Sequence, residues 1–135
     1  IVLKTFHFDI VISAAYCPPK HNISKQQFHE YFSTLGHKFI AGGDYNAKHT
    51  VFGSRLSTPK GNQLHQLIID NNYDIHSPGS PTYPQKKPDL LDFFISNSLS
   101  VINTYIDSNY DIFSDHTPTI LTLSSIHACS YKRTK

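Results

Sequence analysis

The chain has 135 residues, of which 39% are hydrophobic, 13% aromatic and only 16% charged, with no Met and no Trp. This length suits one domain with its own core, and the aromatic content excludes disordered, collagen-like and coiled-coil proteins. No apolar run approaches the roughly 18 residues that span a bilayer, so we expect no membrane segment. The formal net charge of +2 permits an anionic partner but does not require one.

The cysteines and the chain ends give expectations about origin and compartment. Cys17 and Cys129 lack C-x-x-C spacing, which excludes a zinc ribbon and a disulfide-dense secreted scaffold. The opening residues lack the pattern of a signal peptide, so we expect an intracellular protein, nuclear or cytoplasmic. Because the sequence begins at Ile1, we expect a processed product or an excerpt of a longer chain. Residues 126–135 are predicted to be a basic tail or linker.

The first half of the chain is predicted to combine strands with two helices. Apolar residues at every second position predict a strand at residues 8–16, which Pro18-Pro19 ends. Ser24-x-x-Gln27 has the form of a capping box and predicts a helix at residues 24–35. Further along we expect a short strand at 38–41, a long polar and therefore functionally suspect loop at 44–59, and a helix at 60–71.

The second half is predicted to be strands and turns. Residues 77–88 are rich in proline and predict a turn-rich crossing. We expect strands at 73–76, 90–96, 100–106 and 117–123. Strands dominate and both helices come early, so the predicted fold class is α+β, built in layers.

A first candidate for chemistry is Gly42-Gly43-Asp44-Tyr45-Asn46, where a strand is predicted to end. In extended chain, the spacing of Asp44 and Asn46 would place both side chains on one face. A carboxylate can orient or deprotonate a water molecule, and a carboxamide can donate hydrogen bonds to a charged phosphate oxygen. The alternative is that Asp44 and Asn46 only form the turn after the strand.

A second candidate is Asp92, a single carboxylate inside the apolar segment Leu90-Leu91-Asp92-Phe93-Phe94-Ile95. Burying a carboxylate without a partner is costly, so Asp92 needs a cation or a histidine unless it points to solvent from an edge strand. Both interpretations remain open at this point.

A third candidate is the adjacent pair Asp115 and His116, just before the last predicted strand. Neighbouring strand residues point to opposite sides, so His116 could meet Asp92 while Asp115 faces elsewhere. A carboxylate partner fixes the tautomer of a histidine and raises its basicity. The alternative is a plain turn before a strand. Apart from His49 in the polar loop, we interpret the other histidines as surface or packing residues, since none has zinc-ligand spacing.

The motifs become specific when taken together and in order. Five stretches follow one another along the chain: Ala14-Ala15-Tyr16-Cys17-Pro18-Pro19, Gly42-Gly43-Asp44-Tyr45-Asn46-Ala47-Lys48-His49, Pro81-Thr82-Tyr83, Pro88-Asp89-Leu90-Leu91-Asp92-Phe93-Phe94-Ile95 and Ser114-Asp115-His116-Thr117-Pro118. This series resembles the endonuclease/exonuclease/phosphatase superfamily of apurinic endonucleases and DNase I. In particular it is similar to the endonuclease of jockey-like non-LTR retrotransposons.

The resemblance implies a fold and an activity. It implies that residues 1–125 form the C-terminal half of a four-layered α/β/β/α sandwich of the DNase I type. The implied reaction is hydrolysis of DNA phosphodiester bonds with Mg²⁺ or Mn²⁺, which nicks a target site. The implied partners are DNA, an N-terminal half of the same domain and a reverse transcriptase domain further along the polyprotein.

The resemblance also implies a role for each site residue. Asp44 matches the acid that activates water, Asn46 the amide that binds the scissile phosphate, and Tyr16 a tyrosine that approaches it. His116 matches the histidine that contacts a phosphate oxygen, and Asp92 its carboxylate partner. Asp115 matches the acid near the phosphate and the metal. We expect DNA contacts from Lys48, His49 and Arg55 in the polar loop, and from Lys86 and Lys87 further along. For each lysine, a plain solvated surface position is the alternative.

The sequence departs from the family pattern in its metal ligands. The family's glutamate that holds the metal has no counterpart here, because Glu30, the only glutamate, lies on the first predicted helix. This leaves Asp115 as the metal ligand implied for this chain, and we expect the fragment to be inactive by itself. A non-catalytic remnant of a decayed element, or a phosphoesterase acting on a small phosphorylated substrate, is the alternative. The Gly-Asp-Tyr-Asn-Ala-Lys-His form argues against the phosphoesterase.

Overall fold

The computed structural model describes residues 1–5, 8–99, 102–112 and 114–125. Its elements are β1 (Val2–Lys4), β2 (Asp9–Tyr16), α1 (Lys25–Ser33), β3 (Phe39–Asp44), a 3₁₀ turn (Thr50–Phe52), α2 (Pro59–Asn71), β4 (Asp74–His76), β5 (Asp92–Asn97), β6 (Ile102–Ser108) and β7 (Thr119–Ser125). The predicted α+β class is confirmed. Within the described part of the chain, no helix has the length and apolar character needed to cross a membrane.

The strands form two sheets. The larger sheet has the order β1-β2-β3-β5-β4, in which β2 and β3 run parallel and the other neighbours run antiparallel. The smaller sheet is the antiparallel pair β6 and β7. Because β2 and β3 are parallel, their carboxyl ends lie side by side at one edge of the sheet, where ligands commonly bind in mixed α/β architectures.

Both predicted helices form, each started by a side-chain cap. Ser24 and Gln27 make the complete capping box of α1, which buries Phe28 and Phe32. The Thr58 side chain caps α2 by accepting a hydrogen bond from Gly61 N–H. These caps satisfy backbone donors that have no partner inside a helix, so the polar residues that precede each helix define where it begins.

Two apolar clusters lie on opposite faces of the larger sheet and hold the layers together. The cluster on the helix face includes Phe32, Phe39, Tyr45, Leu64 and Phe93. The other cluster joins the sheet to β6 and β7 through Ile10, Ile40, Leu99, Leu121 and Leu123. The described residues therefore form three layers in the order helices, large sheet and small sheet.

Several element boundaries differ from the predicted ones. The exposed strand β1 was missed, and β3 continues through Gly42 and Gly43 to Asp44 instead of ending at residue 41. Gly43 accommodates a close backbone approach, because a Cβ there would lie 1.9 Å from the Ala15 carbonyl oxygen, and a Cβ on Gly42 would lie 2.3 Å from the Phe94 ring. The last strand begins at Thr119, two residues after the predicted start. The predicted tail at 126–135, which includes Cys129, lies outside the described residues.

Candidate active site

Three of the predicted site residues lie in one row across the larger sheet. Tyr16 pairs with Asp44 where β2 runs beside β3, and Asp44 pairs with Asp92 where β3 runs beside β5. Residues that pair directly across neighbouring strands have their side chains on the same face. The backbone register therefore brings the Asp44 and Asp92 carboxylates together, next to the exposed Tyr16 ring.

The predicted contact between Asp92 and His116 is present. His116 Nδ1 lies 2.7 Å from Asp92 Oδ2, and both side chains are partly buried. An ionised carboxylate only accepts hydrogen bonds, so Nδ1 is the donor and the other ring nitrogen, Nε2, is left for a further partner. The Tyr83 ring packs against the imidazole with centroids 5.2 Å apart and restricts its orientation.

Asn46 lies beside Asp44, but not in the predicted way. Its backbone is left-handed, with φ of 45°, so the expectation of extended chain from Asp44 to Asn46 was wrong. The cause is local: Asn46 N–H donates to Asp44 Oδ1 over 3.0 Å, a turn that asparagine tolerates well. The Asn46 amide donates to the Cys17 carbonyl over 3.1 Å, which holds the side chain at the same sheet edge. Asp44 and Asn46 thus form a turn after β3, and this turn lies beside Asp92.

The electrostatics of Asp44 show an excess of negative charge. Burial raises the pKa of Asp44, and the nearby Asp92 carboxylate raises it further, while hydrogen bonding from Asn46 and the proximity of His116 lower it. Two carboxylates that share one site resist ionising together. This region would therefore accept a cation or a proton more readily than an isolated surface aspartate.

Asp44, Asp92 and His116 form a group that could hold a metal ion, since each offers one ligand atom and these atoms lie within 4.8 Å of one another. Asp115, the metal ligand implied by the resemblance, is not in this group. It is exposed, and its Oδ1 lies 3.5 Å from Gln85 Nε2. As predicted, neighbouring Asp115 and His116 face different surroundings.

The predicted DNA contacts Lys48 and Arg55 already have a protein partner, the carboxylate of Asp89. Lys48 Nζ lies 2.8 Å from Asp89 Oδ2, and an Arg55 guanidinium nitrogen lies 3.7 Å from the same atom. Asp89 is 1% exposed, whereas 53% of the Arg55 side chain remains exposed. Asp89 lies in the motif at residues 88–95, but nothing in that short pattern predicts its role.

The third predicted DNA contact, His49, has a local structural role. Its Nδ1 accepts a hydrogen bond from Val51 N–H and so caps the 3₁₀ turn. Its ring stacks on His65 with centroids 3.9 Å apart. Burial lowers the pKa of His49, and the neighbouring His65 lowers it further, so the neutral imidazole is favoured.

Two buried polar residues that the sequence did not single out support the site. The Thr82 hydroxyl accepts hydrogen bonds from the backbone N–H groups of Leu91 and Asp92, each over 3.0 Å. The Thr82 carbonyl accepts from Thr117 N–H over 2.7 Å, so one residue fixes the backbone beside both Asp92 and His116. Thr82 lies in the motif Pro81-Thr82-Tyr83, and this motif was the sequence signal that could have identified its role.

The second of these residues, Lys60, is 5% exposed at the start of α2 and donates to the Pro18 carbonyl over 2.7 Å. It anchors the segment that follows Tyr16. Burial lowers the pKa of the Lys60 ammonium, although the nearby Cys17 and Asp44 oppose the change. A lysine at a helix start carries no sequence signal for burial, which explains why it was missed.

Known proteins with similar sequences come from retroelements. Residues 10–120 match the family described as Endonuclease-reverse transcriptase. The "RNA-directed DNA polymerase from mobile element jockey" of Drosophila funebris is 36% identical over 132 residues, which cover 95% of this chain and 14% of that protein. The protein of the same description from Drosophila melanogaster is 35% identical over 135 residues, covering 97% of this chain and 14% of that protein. The chain thus spans a small part of these relatives.

A solved structure shows the same fold. The "Endonuclease domain of TRAS1, a telomere-specific non-LTR retrotransposon" superimposes with a TM-score of 0.76 at 24% identity, covering 90% of this chain and 58% of that one. The predicted DNase I-like fold is confirmed by this match. With the family match over most of its length, the chain belongs to the endonuclease-reverse transcriptase family.

Proposed function

We propose that this chain forms part of an endonuclease domain that hydrolyses phosphodiester bonds in DNA with the help of a divalent metal ion. The observation that carries the proposal is the Asp92–His116 pair beside Asp44 at one edge of the sheet. Phosphodiester hydrolysis needs a group that orients or deprotonates water and donors for the charged oxygens of the transition state. These side chains, together with Asn46, offer both.

Each residue has a role that its environment supports. Asp44 orients the attacking water and accepts its proton, a task favoured by the raised pKa of this carboxyl group. Asn46 donates its remaining amide N–H to a phosphate oxygen. His116 contacts another phosphate oxygen through Nε2, while Asp92 holds the ring and balances its charge when it is protonated. The exposed Tyr16 hydroxyl is a further donor at the same edge.

The residues present fit a divalent cation, Mg²⁺ or Mn²⁺. Hard cations prefer oxygen ligands, and Mg²⁺ is often held by one or two carboxylates and water. The mutual proximity of Asp44 and Asp92 leaves negative charge that a cation would balance. When bound, the ion would stabilise charge on the phosphate oxygens. Glu30 cannot join these ligands, because it lies on the exposed side of α1 beside Gln26.

The proposed endonuclease domain would be one part of a longer polyprotein. We propose that residues 1–125 belong to the endonuclease domain and that an upstream half contributes the remaining metal ligands. A reverse transcriptase domain would follow in the same polyprotein, and the nick would supply the primer end for DNA synthesis inside the cell. Arg55, with half of its side chain exposed, and the exposed Lys86 and Lys87 are candidate phosphate contacts.

One observation favours a second candidate, a non-catalytic remnant of a decayed element. The acidic group contains two aspartates and one histidine but no glutamate from the described residues. If the chain is such a remnant, it keeps the fold but lacks a complete metal site. The two candidates differ in one measurable property, cleavage of DNA by the natural polypeptide that contains these residues.

The test is nicking of supercoiled plasmid by that polypeptide with Mg²⁺, compared with the 135-residue chain alone. The proposal predicts nicking by the longer polypeptide and little or none by the chain alone. Absence of nicking by the longer polypeptide supports the remnant. Release of inorganic phosphate from inositol phosphates, without nicking, would instead indicate a phosphoesterase of the same superfamily.

A further inference from the structure

The buried Asp89 carboxylate is the centre of a cluster, the Asp89 clamp, which also contains the side chains of Lys48 and Arg55 and the backbone of Leu90. Oδ1 accepts hydrogen bonds from Arg55 N–H and Leu90 N–H, each over 3.1 Å. Oδ2 pairs with the Lys48 ammonium over 2.8 Å. A carboxylate that is 1% exposed needs such partners, because an unpaired buried charge is costly.

The Asp89 clamp joins two loops that are distant in sequence. The Arg55 Nε–H donates to the Pro88 carbonyl over 2.8 Å, and the Ser54 hydroxyl donates to the Leu90 carbonyl over 2.9 Å. Asp89 and Tyr83 exchange backbone hydrogen bonds in both directions, and the Tyr83 ring packs on His116. The position of the His116 ring therefore depends on the segment that Asp89 secures.

We propose that Asp89 is a positioning residue of the nuclease site and that Lys48 serves as its counter-ion rather than as a DNA contact. The inference rests on the proposed function, because it assigns part of the same DNA site. It reverses the simplest interpretation of Lys48 from the sequence. We then expect Arg55 to bind phosphate in this loop, because the clamp holds its backbone and Nε while half of the side chain stays exposed.

The salt dependence of DNA binding distinguishes a phosphate contact from an internal counter-ion. Each phosphate contact changes the slope of log affinity against log salt by about 0.9 for duplex DNA. A lysine neutralised by Asp89 contributes nothing to that slope until the carboxylate is removed. The slope can be measured by fluorescence anisotropy of a labelled duplex oligonucleotide, using the natural polypeptide.

We expect Lys48→Met to leave the slope of the parent unchanged. Asp89→Asn should free Lys48 and steepen the slope by about 0.9, and the double variant should return to the parent value. Lys25→Met is the matched control, since Lys25 pairs with Asp70 over 2.7 Å at the far end of α2 and should have no effect. The double variant also avoids an unpaired buried charge, so it remains informative if one single variant unfolds.

The second measurement is of the kinetic constants kcat and KM for DNA cleavage. If Asp89 positions the site, Asp89→Asn should lower kcat by about 10-fold or more, while KM for DNA at low salt stays the same or falls. A purely structural loss would reduce the amount of folded enzyme without changing KM or the salt slope. A slope that falls by about 0.9 in Lys48→Met shows that Lys48 contacts phosphate and overturns the proposal. An unchanged slope in Asp89→Asn overturns it as well.

Failure of the proposed function would be distinguishable from failure of the clamp. If the parent neither nicks nor binds DNA, the proposed function is wrong, and amide hydrogen exchange still tests the clamp. Exchange of Arg55 N–H should accelerate in Asp89→Asn relative to amides in the core of β3. An Arg55 exchange rate equal to that of the parent would contradict the clamp in either case.

Discussion

His116 Nδ1 and Asp92 Oδ2 are 2.7 Å apart, although the two residues are 24 positions apart in sequence. The contact connects the first residue of β5 to the segment that leads into β7. Because Asp92 also pairs with Asp44 across β5 and β3, the histidine is tied to the second carboxylate of the site. This contact therefore links all three residues of the candidate active site.

Replacing Asp92 by Asn should reduce nicking by about 10- to 100-fold, the range typical for loss of a hydrogen-bond partner that orients a metal-ligating histidine. The neutral amide can still fill the space but cannot balance the charge of the imidazole. Plasmid nicking by the natural polypeptide measures the effect. Asp107→Asn, on the exposed side of β6, is the control and should retain parental activity. Equal activity of the Asp92 variant and the control would contradict the role of Asp92.

Asp44 should stabilise the fold less than a neutral residue would at neutral pH. Burial, and then the charge of Asp92, raise its pKa in the folded chain, so the folded state binds this proton more tightly than the unfolded state. The Asp44 carboxyl therefore contributes to the free energy of unfolding at low pH. This contribution is lost as pH rises through the pKa that Asp44 has in the folded chain. Asp44→Asn should therefore raise Tm at pH 7 by a few degrees in chelator, while it abolishes activity.

The gain from Asp44→Asn should shrink as pH falls through the raised pKa of Asp44, because the wild-type carboxyl then becomes protonated in the folded chain. Adding Mg²⁺ should raise the Tm of the parent, because a ligand that binds only the folded state stabilises it, and should raise the Tm of the variant less. Thermal unfolding followed by circular dichroism measures both effects. A lower Tm for the variant at pH 7 without metal would contradict the account of Asp44.

Thr82→Val should reduce both stability and activity. Valine keeps the shape of threonine but removes the hydroxyl that accepts from Leu91 N–H and Asp92 N–H, which leaves two buried donors without a partner. Such a loss costs about 1–3 kcal/mol per unsatisfied group. Thr82→Ser retains the hydroxyl and is the matched control. Urea unfolding should separate the two variants, and equal midpoints would show that the hydroxyl is dispensable.

Gly61→Ala should destabilise the junction between α2 and the polar loop. An added Cβ would lie 1.7 Å from the Lys48 carbonyl oxygen, and this backbone atom also accepts from Thr58 N–H over 2.9 Å. Overpacking of this kind costs about 1–3 kcal/mol. In Gly42→Ala the nearest atoms belong to the Phe94 ring, which can rotate away, so we expect a smaller loss of unfolding free energy. A larger loss for Gly42→Ala would contradict this ranking.

Much of the fold could be predicted because its signals are local. The capping box at Ser24 and Gln27 needs only four residues, and it forms as expected. The contact between Asp92 and His116 was predictable because a carboxylate in an apolar segment needs a partner, and a histidine beside a late strand could supply one. The order of the motifs then identified the family, which the sequence comparison confirms.

The remaining features depend on contacts that no short pattern contains. Asn46 adopts a left-handed turn because it can bond to Asp44, and the i, i+2 spacing did not reveal this. β3 needs glycine at Gly43 because the Ala15 backbone of the paired strand approaches closely, and at Gly42 because the Phe94 ring does. Lys48 was predicted to bind DNA because lysines in polar loops often do, yet its partner Asp89 lies far along the chain. The Asn46 turn is local, whereas long-range pairing decided the course of β3 and the partner of Lys48.

The most direct test of the central claim is Mg²⁺-dependent nicking of supercoiled plasmid by the natural polypeptide, with and without Asp44→Ala and His116→Ala. We predict that the parent nicks DNA with Mg²⁺ and loses activity in chelator. Each substitution should lower the rate at least about 10²-fold, the size expected when a single transition-state interaction is removed. If both variants nick as fast as the parent, Asp44, Asp92 and His116 do not form the active site.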